Sequence, residues 1–127
     1  MKILKQNSSK KKQLIDTINS QFGGSLNSRS TSYASINKAK AVWWFNITVP
    51  KFEQEVHLIL DASDHAIWIV LPKGFVRNLD STFRIREDKN AVDLEISADG
   101  NFRFLVDVKS GGTGFDFRRF VREEIGY

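Results

Sequence analysis

Cysteine is absent from the 127 residues, which removes disulfides, thiolate nucleophiles and cysteine-ligated zinc from consideration. No apolar run approaches the roughly 20 residues that a membrane span needs. The apolar stretch within MKILKQNSSKKK is too short for a secretory leader. The chain therefore reads as soluble, unprocessed and cytoplasmic, with no membrane partner. There is no G-x-S-x-G elbow for a triad hydrolase. The SGGTG loop lacks the lysine of a Walker sequence, and no internal repeat is visible. Acids are scarce at one end: residues 1–40 hold eight Lys or Arg and only Asp16, a net of +7, whereas residues 41–127 hold eleven basic and fourteen acidic residues, a net of −3. The overall charge of +4 thus belongs to the N-terminal third. Such asymmetry is the electrostatic mark of an arm for an acidic partner, nucleic acid being the commonest.

What is present is apolar enough to fold. Hydrophobic residues make up 41% and include ten Phe and three Trp, which supports a packed core in one domain spanning 1–127. Ser9 precedes KKKQLIDTINSQF, where Leu14, Ile15, Ile18 and Phe22 share one helical stripe and Gly23 and Gly24 end it. The following GGSLNSRSTSY has no period and reads as a flexible loop. From residue 41 the period changes to two. In AVWWFNITV, Trp43, Phe45 and Ile47 face one way and Trp44, Asn46 and Thr48 the other. The N-terminal helix is expected to cover Trp44; left bare, that ring has the shape to stack a nucleobase.

EVHLILD and AIWIVL form a hairpin when Leu60 is placed opposite Ile67. Both faces are then apolar, so something must pack on each side, with a helix on at least one. STFRIRE, AVDLEIS and NFRFLVDV supply further strands, with Ile85 opposite Val92 and Arg84 opposite Asp93. The stripe Phe117, Phe120, Val121 and Ile125 after Asp116 predicts a C-terminal helix. The expected fold is α+β: a mostly antiparallel sheet of about six strands with an N-terminal and a C-terminal helix. Residues 1–40 form its basic helix and flexible loop, and residues 41–127 its sheet and last helix.

The stretch AVDLEISADGNFRFLVDVK carries a candidate active site. A three-residue loop at Asp99, Gly100 and Asn101 pairs Ile96 with Phe104 and Leu94 with Val106, which matches every apolar position. Asp93 then lies across from Asp107, with Lys109 two residues beyond. This arrangement resembles the catalytic hairpin of the PD-(D/E)xK nucleases, in which two acids hold a divalent cation and a lysine stabilises charge at the attacked phosphate. The resemblance implies Asp93 and Asp107 as Mg²⁺ ligands and Asp93, Asp107 and Lys109 as catalytic residues. It covers about twenty residues, and no proline precedes Asp93. Arg84 in the same row offers the acids a partner without any metal, which makes an ordinary charged surface the favoured reading. Asp61, Asp64, His57 and His65 around the DASDH turn offer a weaker zinc constellation, since Asp and Ser are also what a turn needs.

The leading reading is a small nucleic-acid-binding module without a cofactor, with DNA the expected partner. Lys10, Lys11, Lys12, Arg29, Lys38 and Lys40 would contact phosphates, with Arg84 and Arg86 as secondary contacts. The alternatives are the Mg²⁺-dependent nuclease and a protein–protein interaction domain.

Overall fold

The computed structural model describes residues 9–37, 39–100 and 103–127. The order is α1 (Lys10–Gln21), β1 (Thr31–Ser35), β2 (Val42–Thr48), a 3₁₀ turn (Val49–Glu53), β3 (Val56–Asp61), β4 (His65–Leu71), a short α2 (Leu79–Thr82), β5 (Arg84–Arg86), β6 (Ala91–Ser97), a second 3₁₀ turn (Arg118–Phe120) and β7 (Val121–Gly126). The strands form two sheets, ordered β1-β3-β4-β7 and β2-β6-β5. Every pairing is antiparallel except β1 with β3. The α+β class and the mostly antiparallel pairing hold. The single sheet of six strands becomes two sheets with seven strands. No helix among the described residues is long and apolar enough to cross a membrane.

The β3–β4 hairpin pairs Leu60 with Ile67, as its apolar pattern requires. One face carries Leu58, Leu60, Ile67 and Ile69 and packs on Trp43, Phe45, Ile47, Val92, Leu94 and Ile96 of the second sheet. The other face carries Ile59, Trp68 and Val70 and packs under Leu14, Ile15 and Ile18 of α1. The molecule is therefore helix on sheet on sheet, with the hairpin buried in the middle layer. Ser9 caps α1, its hydroxyl accepting the Lys12 N–H at 3.0 Å. Gly23 ends it with φ 70°, a left-handed turn that glycine adopts without strain.

Three expectations are corrected. The C-terminal helix is the strand β7, which pairs antiparallel with β4 from His65 to Ile69. Apolar residues at 117, 120, 121 and 125 fit a helix, but β4 offers an open edge whose backbone groups need partners. The flexible loop contains β1, which closes the other side of β3 in parallel. Its polar sequence TSYAS has no alternating apolar pattern to announce a strand.

The third correction concerns the hairpin after β6. Along its whole length β6 pairs with β2, placing Trp43 opposite Ile96, Phe45 opposite Leu94 and Ile47 opposite Val92. Its other edge is shared. Arg84 and Ile85 of β5 lie opposite Asp93 and Val92, as the sequence implies, while Ile96 bridges Asp107. That is a shift of three residues from Ile96–Phe104, and an odd shift turns every side chain to the opposite face. The cause is Leu105, which adopts φ 63° and is buried in the core. The Leu105 N–H donates to the Ser97 carbonyl, and the Ser97 N–H donates to that of Val106, so two residues face one in a β-bulge. The far side of this segment is held by 115–117, with the Asp107 N–H on the Phe115 carbonyl and the Phe117 N–H on the Leu105 carbonyl. Phe115, Phe117, Phe83, Phe75 and Phe120 stack and tilt against one another there. The expected Ala98–Phe102 pair lies outside the described residues.

Because Ile18 is wholly buried between α1 and the hairpin, Ile18→Ala should lower the unfolding free energy by about 2–4 kcal/mol. Exposed Lys12→Ala should change it by less than about 0.5 kcal/mol. Urea unfolding of the two variants checks this; similar values would mean that α1 does not seal the middle layer.

Candidate nucleic-acid interface

The basic residues singled out from sequence divide by what they touch. Lys12 pairs with Asp16 at 3.2 Å. Lys10 sits over the Tyr127 ring, 4.0 Å from its centroid. Lys40 pairs with Glu95 at 2.5 Å, and Arg86 with Asp88 at 3.0 Å. The aliphatic part of Arg84 lies close to Gly111. Lys38 lies outside the described residues. Lys11 and Arg29 are brought to one place.

That place is an open cleft of 440 Å³ beside the start of β1, lined by Asn27, Arg29, Ser30, Ser32, Lys51 and Glu55 among others. Its loop is held firmly despite its composition. Leu26 is buried, and the Asn19 amide spans it, accepting the Leu26 N–H at 2.8 Å and donating to the Leu26 carbonyl at 2.9 Å. Asn27 Oδ1 accepts the Ser30 N–H at 2.9 Å and Ser30 Oγ accepts the Asn27 N–H at 3.2 Å, closing a tight turn around Arg29. The Ser30 carbonyl accepts the His57 N–H, which ties the loop to β3. Lys11 reaches across from α1 and donates to the Ser28 carbonyl at 3.1 Å. Lys51 comes from the 3₁₀ turn after β2.

Arg29 and Lys51 have no acidic partner among the described residues. Burial lowers the Lys11 pKa, and the Lys51 charge lowers it further, as expected of two ammonium groups close together without an anion between them. Glu55 is the one carboxylate on the cleft wall, and it meets His57 Nε2 at 3.1 Å. Burial depresses the His57 pKa despite the Glu55 carboxylate, which favours the neutral ring. Arg29 and Lys51 thus share the cleft wall with one carboxylate, and Lys11 lies near enough to feel the Lys51 charge. Lys51 escapes sequence reasoning because it stands in the net-acidic part of the chain; only the fold carries it next to Arg29.

The residues of the nuclease-like stretch are arranged differently from the expectation. Asp93 has Asn46 of β2 on one side and Arg84 on the other, and Asp107 no longer faces it. Lys109 Nζ lies 3.6 Å from Asp93 and 3.2 Å from Glu95. Burial raises the Glu95 pKa, but hydrogen bonds from Lys40 and Lys109 outweigh it and hold the group below the usual range. Asp107 is buried at 2% exposure. Its Oδ1 accepts the Glu95 N–H at 3.2 Å and the Lys109 N–H at 3.1 Å; among the described residues its Oδ2 has no hydrogen-bond partner. Among the described residues no three acids or histidines gather closely enough to hold a metal. His57 and His65 are likewise engaged separately, His57 Nδ1 accepting the Trp68 indole N–H at 3.1 Å and His65 Nδ1 meeting Asp64 at 2.7 Å.

The chain matches no protein-family model, no curated protein and no solved structure.

Burial raises the Asp107 pKa, against the two backbone N–H groups that lower it and together with the charges of Glu95 and Asp93. The folded chain thus favours the protonated acid. The stability this provides is complete below the ordinary aspartate range and is lost as pH rises through the raised folded value. Asp107→Asn keeps the Oδ1 acceptor and removes the buried charge. It should stabilise the fold at neutral pH by on the order of 1 kcal/mol and flatten the pH dependence on the acid side. Urea unfolding across an acid-to-neutral series measures both; a variant less stable than the parent at neutral pH would refute this account of Asp107. Gly112→Ala should act oppositely, since a Cβ there would stand 2.6 Å from Asp107 Oδ2. Its expected cost is about 1–3 kcal/mol.

Proposed function

We propose that this protein is a non-catalytic nucleic-acid-binding module whose phosphate contacts centre on the cleft lined by Arg29 and Lys51, with Lys11 beside it. One observation carries the reading. Arg29 and Lys51, from two segments, line one cleft with hydroxyl and amide groups, and among the described residues neither has an acidic partner. Unpaired like charges held together are costly unless a polyanion takes them up. Arg29 offers a planar fork for phosphate oxygens, while Ser32 and Asn27 offer neutral donors of the kind that position a backbone without reading its sequence. The basic arm proposed from the charge distribution is thereby narrowed. Lys10, Lys12, Lys40 and Arg86 are already engaged and add to the general field more than to direct contacts. Asp93, Asp107 and Lys109 are read as structural, because Asp107 is committed to two backbone N–H groups and Lys109 occupies the space beside Asp93.

Binding of labelled DNA across a salt series tests this. Arg29→Ala together with Lys51→Ala should weaken binding and reduce the log–log salt slope by roughly 0.7–0.9 per lost phosphate contact. Lys12→Ala should leave the slope nearly unchanged. A slope that follows Lys12 and ignores Arg29 and Lys51 would move the contact surface away from the cleft. No binding by the parent at low salt would remove the nucleic-acid reading.

A further inference from the structure

The sequence leaves Trp44 for α1 to cover, but α1 covers Ile59, Trp68 and Val70 instead. Trp44 is 54% exposed, and among the described residues only Tyr127 is comparably bare for a large apolar side chain. It stands beside a groove of 410 Å³ lined by Tyr33, Ala34, Ser35, Ile36, Asn37 and Trp44. This groove lies along β1, an edge strand of its sheet, next to β2, an edge strand of the other. The basic cleft includes Arg29, Ser30 and Ser32, and the Trp44 groove begins at the next residue, Tyr33. A phosphate site and an aromatic platform thus adjoin along one strand edge.

The charges around Trp44 suit a polyanion. Glu95 lies directly across from it on β6, but Lys40 and Lys109 hold both carboxylate oxygens of Glu95, at 2.5 and 3.2 Å. No bare acid on that strand faces an approaching phosphate. Tyr33 is fixed in place, its hydroxyl donating to Asp61 Oδ2 at 2.5 Å, so the groove wall is stiff.

We infer that the module binds single-stranded nucleic acid, one base stacking on Trp44 while a flanking phosphate occupies the Arg29–Lys51 cleft. This rests on the nucleic-acid reading above and adds the strand form. A base within a duplex already has both faces covered by its neighbours, whereas an unpaired base offers a face to an aromatic ring whatever its sequence.

The test titrates the parent, Trp44→Ala, Trp44→Phe and the Arg29→Ala, Lys51→Ala double variant with a short labelled oligothymidylate and with a duplex of equal length. The parent should bind the single strand more tightly and show quenched tryptophan emission. That signal reports Trp44, because Trp43 and Trp68 are buried at 2% and 3% exposure. Trp44→Ala should weaken single-strand binding by about 5- to 100-fold with an unchanged salt slope, since stacking releases no counterion. Trp44→Phe should retain most of the affinity. Circular dichroism should show the fold intact, because the replaced ring is exposed. If Trp44→Ala binds the single strand as the parent does while the double variant loses binding, the stacking inference falls and the nucleic-acid reading stands. If the parent binds neither form, both fall, and the β1 edge is left to an extended peptide.

Discussion

Everything in this fold depends on the hairpin of β3 and β4 being apolar on both faces. A strand pair of that kind cannot sit at a surface without exposing one of its sides. Leu58, Leu60, Ile67 and Ile69 demand the second sheet, and Ile59, Trp68 and Val70 demand α1. The position of α1 is thus set by the face it must cover. That position brings its first turn, with Lys11, against the loop that carries Arg29. Because α1 is committed there, the outer face of β2 has no cover, and Trp44 stays exposed.

Local pattern made much of this architecture legible. The β3–β4 register follows from one pairing, Leu60 with Ile67, which aligns every apolar position of the two strands. The Arg84–Asp93 and Ile85–Val92 pairs follow from the same reasoning across a short turn. The less legible parts are those decided by a distant partner. The residues of β7 satisfy a helical stripe and are turned into a strand only by the open edge of β4. Thr31–Ser35 has no strand pattern and becomes one by lying beside β3. The segment after β6 takes a register other than the one its local pattern favours. The apolar matching that favours Ile96 with Phe104 is local, but β2 already occupies the full length of β6 on one edge. The remaining edge is divided between β5 and residues 105–108, and the phenylalanines at 115 and 117 supply partners on the far side of that segment.

That register carries chemical consequences. An odd shift of the Asp107 segment takes its carboxylate from the charged outer row to the core side, opposite Ile96. There it serves two backbone N–H groups, which is a structural use of an acid. Lys109 meanwhile settles between Asp93 and Glu95, and their charges are met by ammonium groups, which leaves little for a hard cation to gain. The same residues that read as a catalytic hairpin in one register read as a capped and neutralised edge in the other. Spacing such as Asp-x-Lys has chemical meaning only once the pairing partner is known.

The basic residues illustrate the same point in the opposite direction. By count, the positive charge belongs to residues 1–40, and the lysine run at 10–12 is its most conspicuous part. In the folded chain two of those three lysines are engaged by Asp16 and the Tyr127 ring, and the third donates to the Ser28 carbonyl, within the electrostatic reach of a lysine from the acidic part of the sequence. What distinguishes a binding surface from a solvated charged one is the absence of local partners together with a rigid backing. The Arg29 turn has both: it is locked by Asn19, Asn27 and Ser30, and no acid among the described residues pairs with its guanidinium. The backbone that carries this cation is already ordered, so a phosphate contact costs the conformational freedom of the side chain alone. A lysine on an exposed helix turn must first be ordered. The preorganised cleft, rather than the denser run of lysines, is therefore where affinity should concentrate.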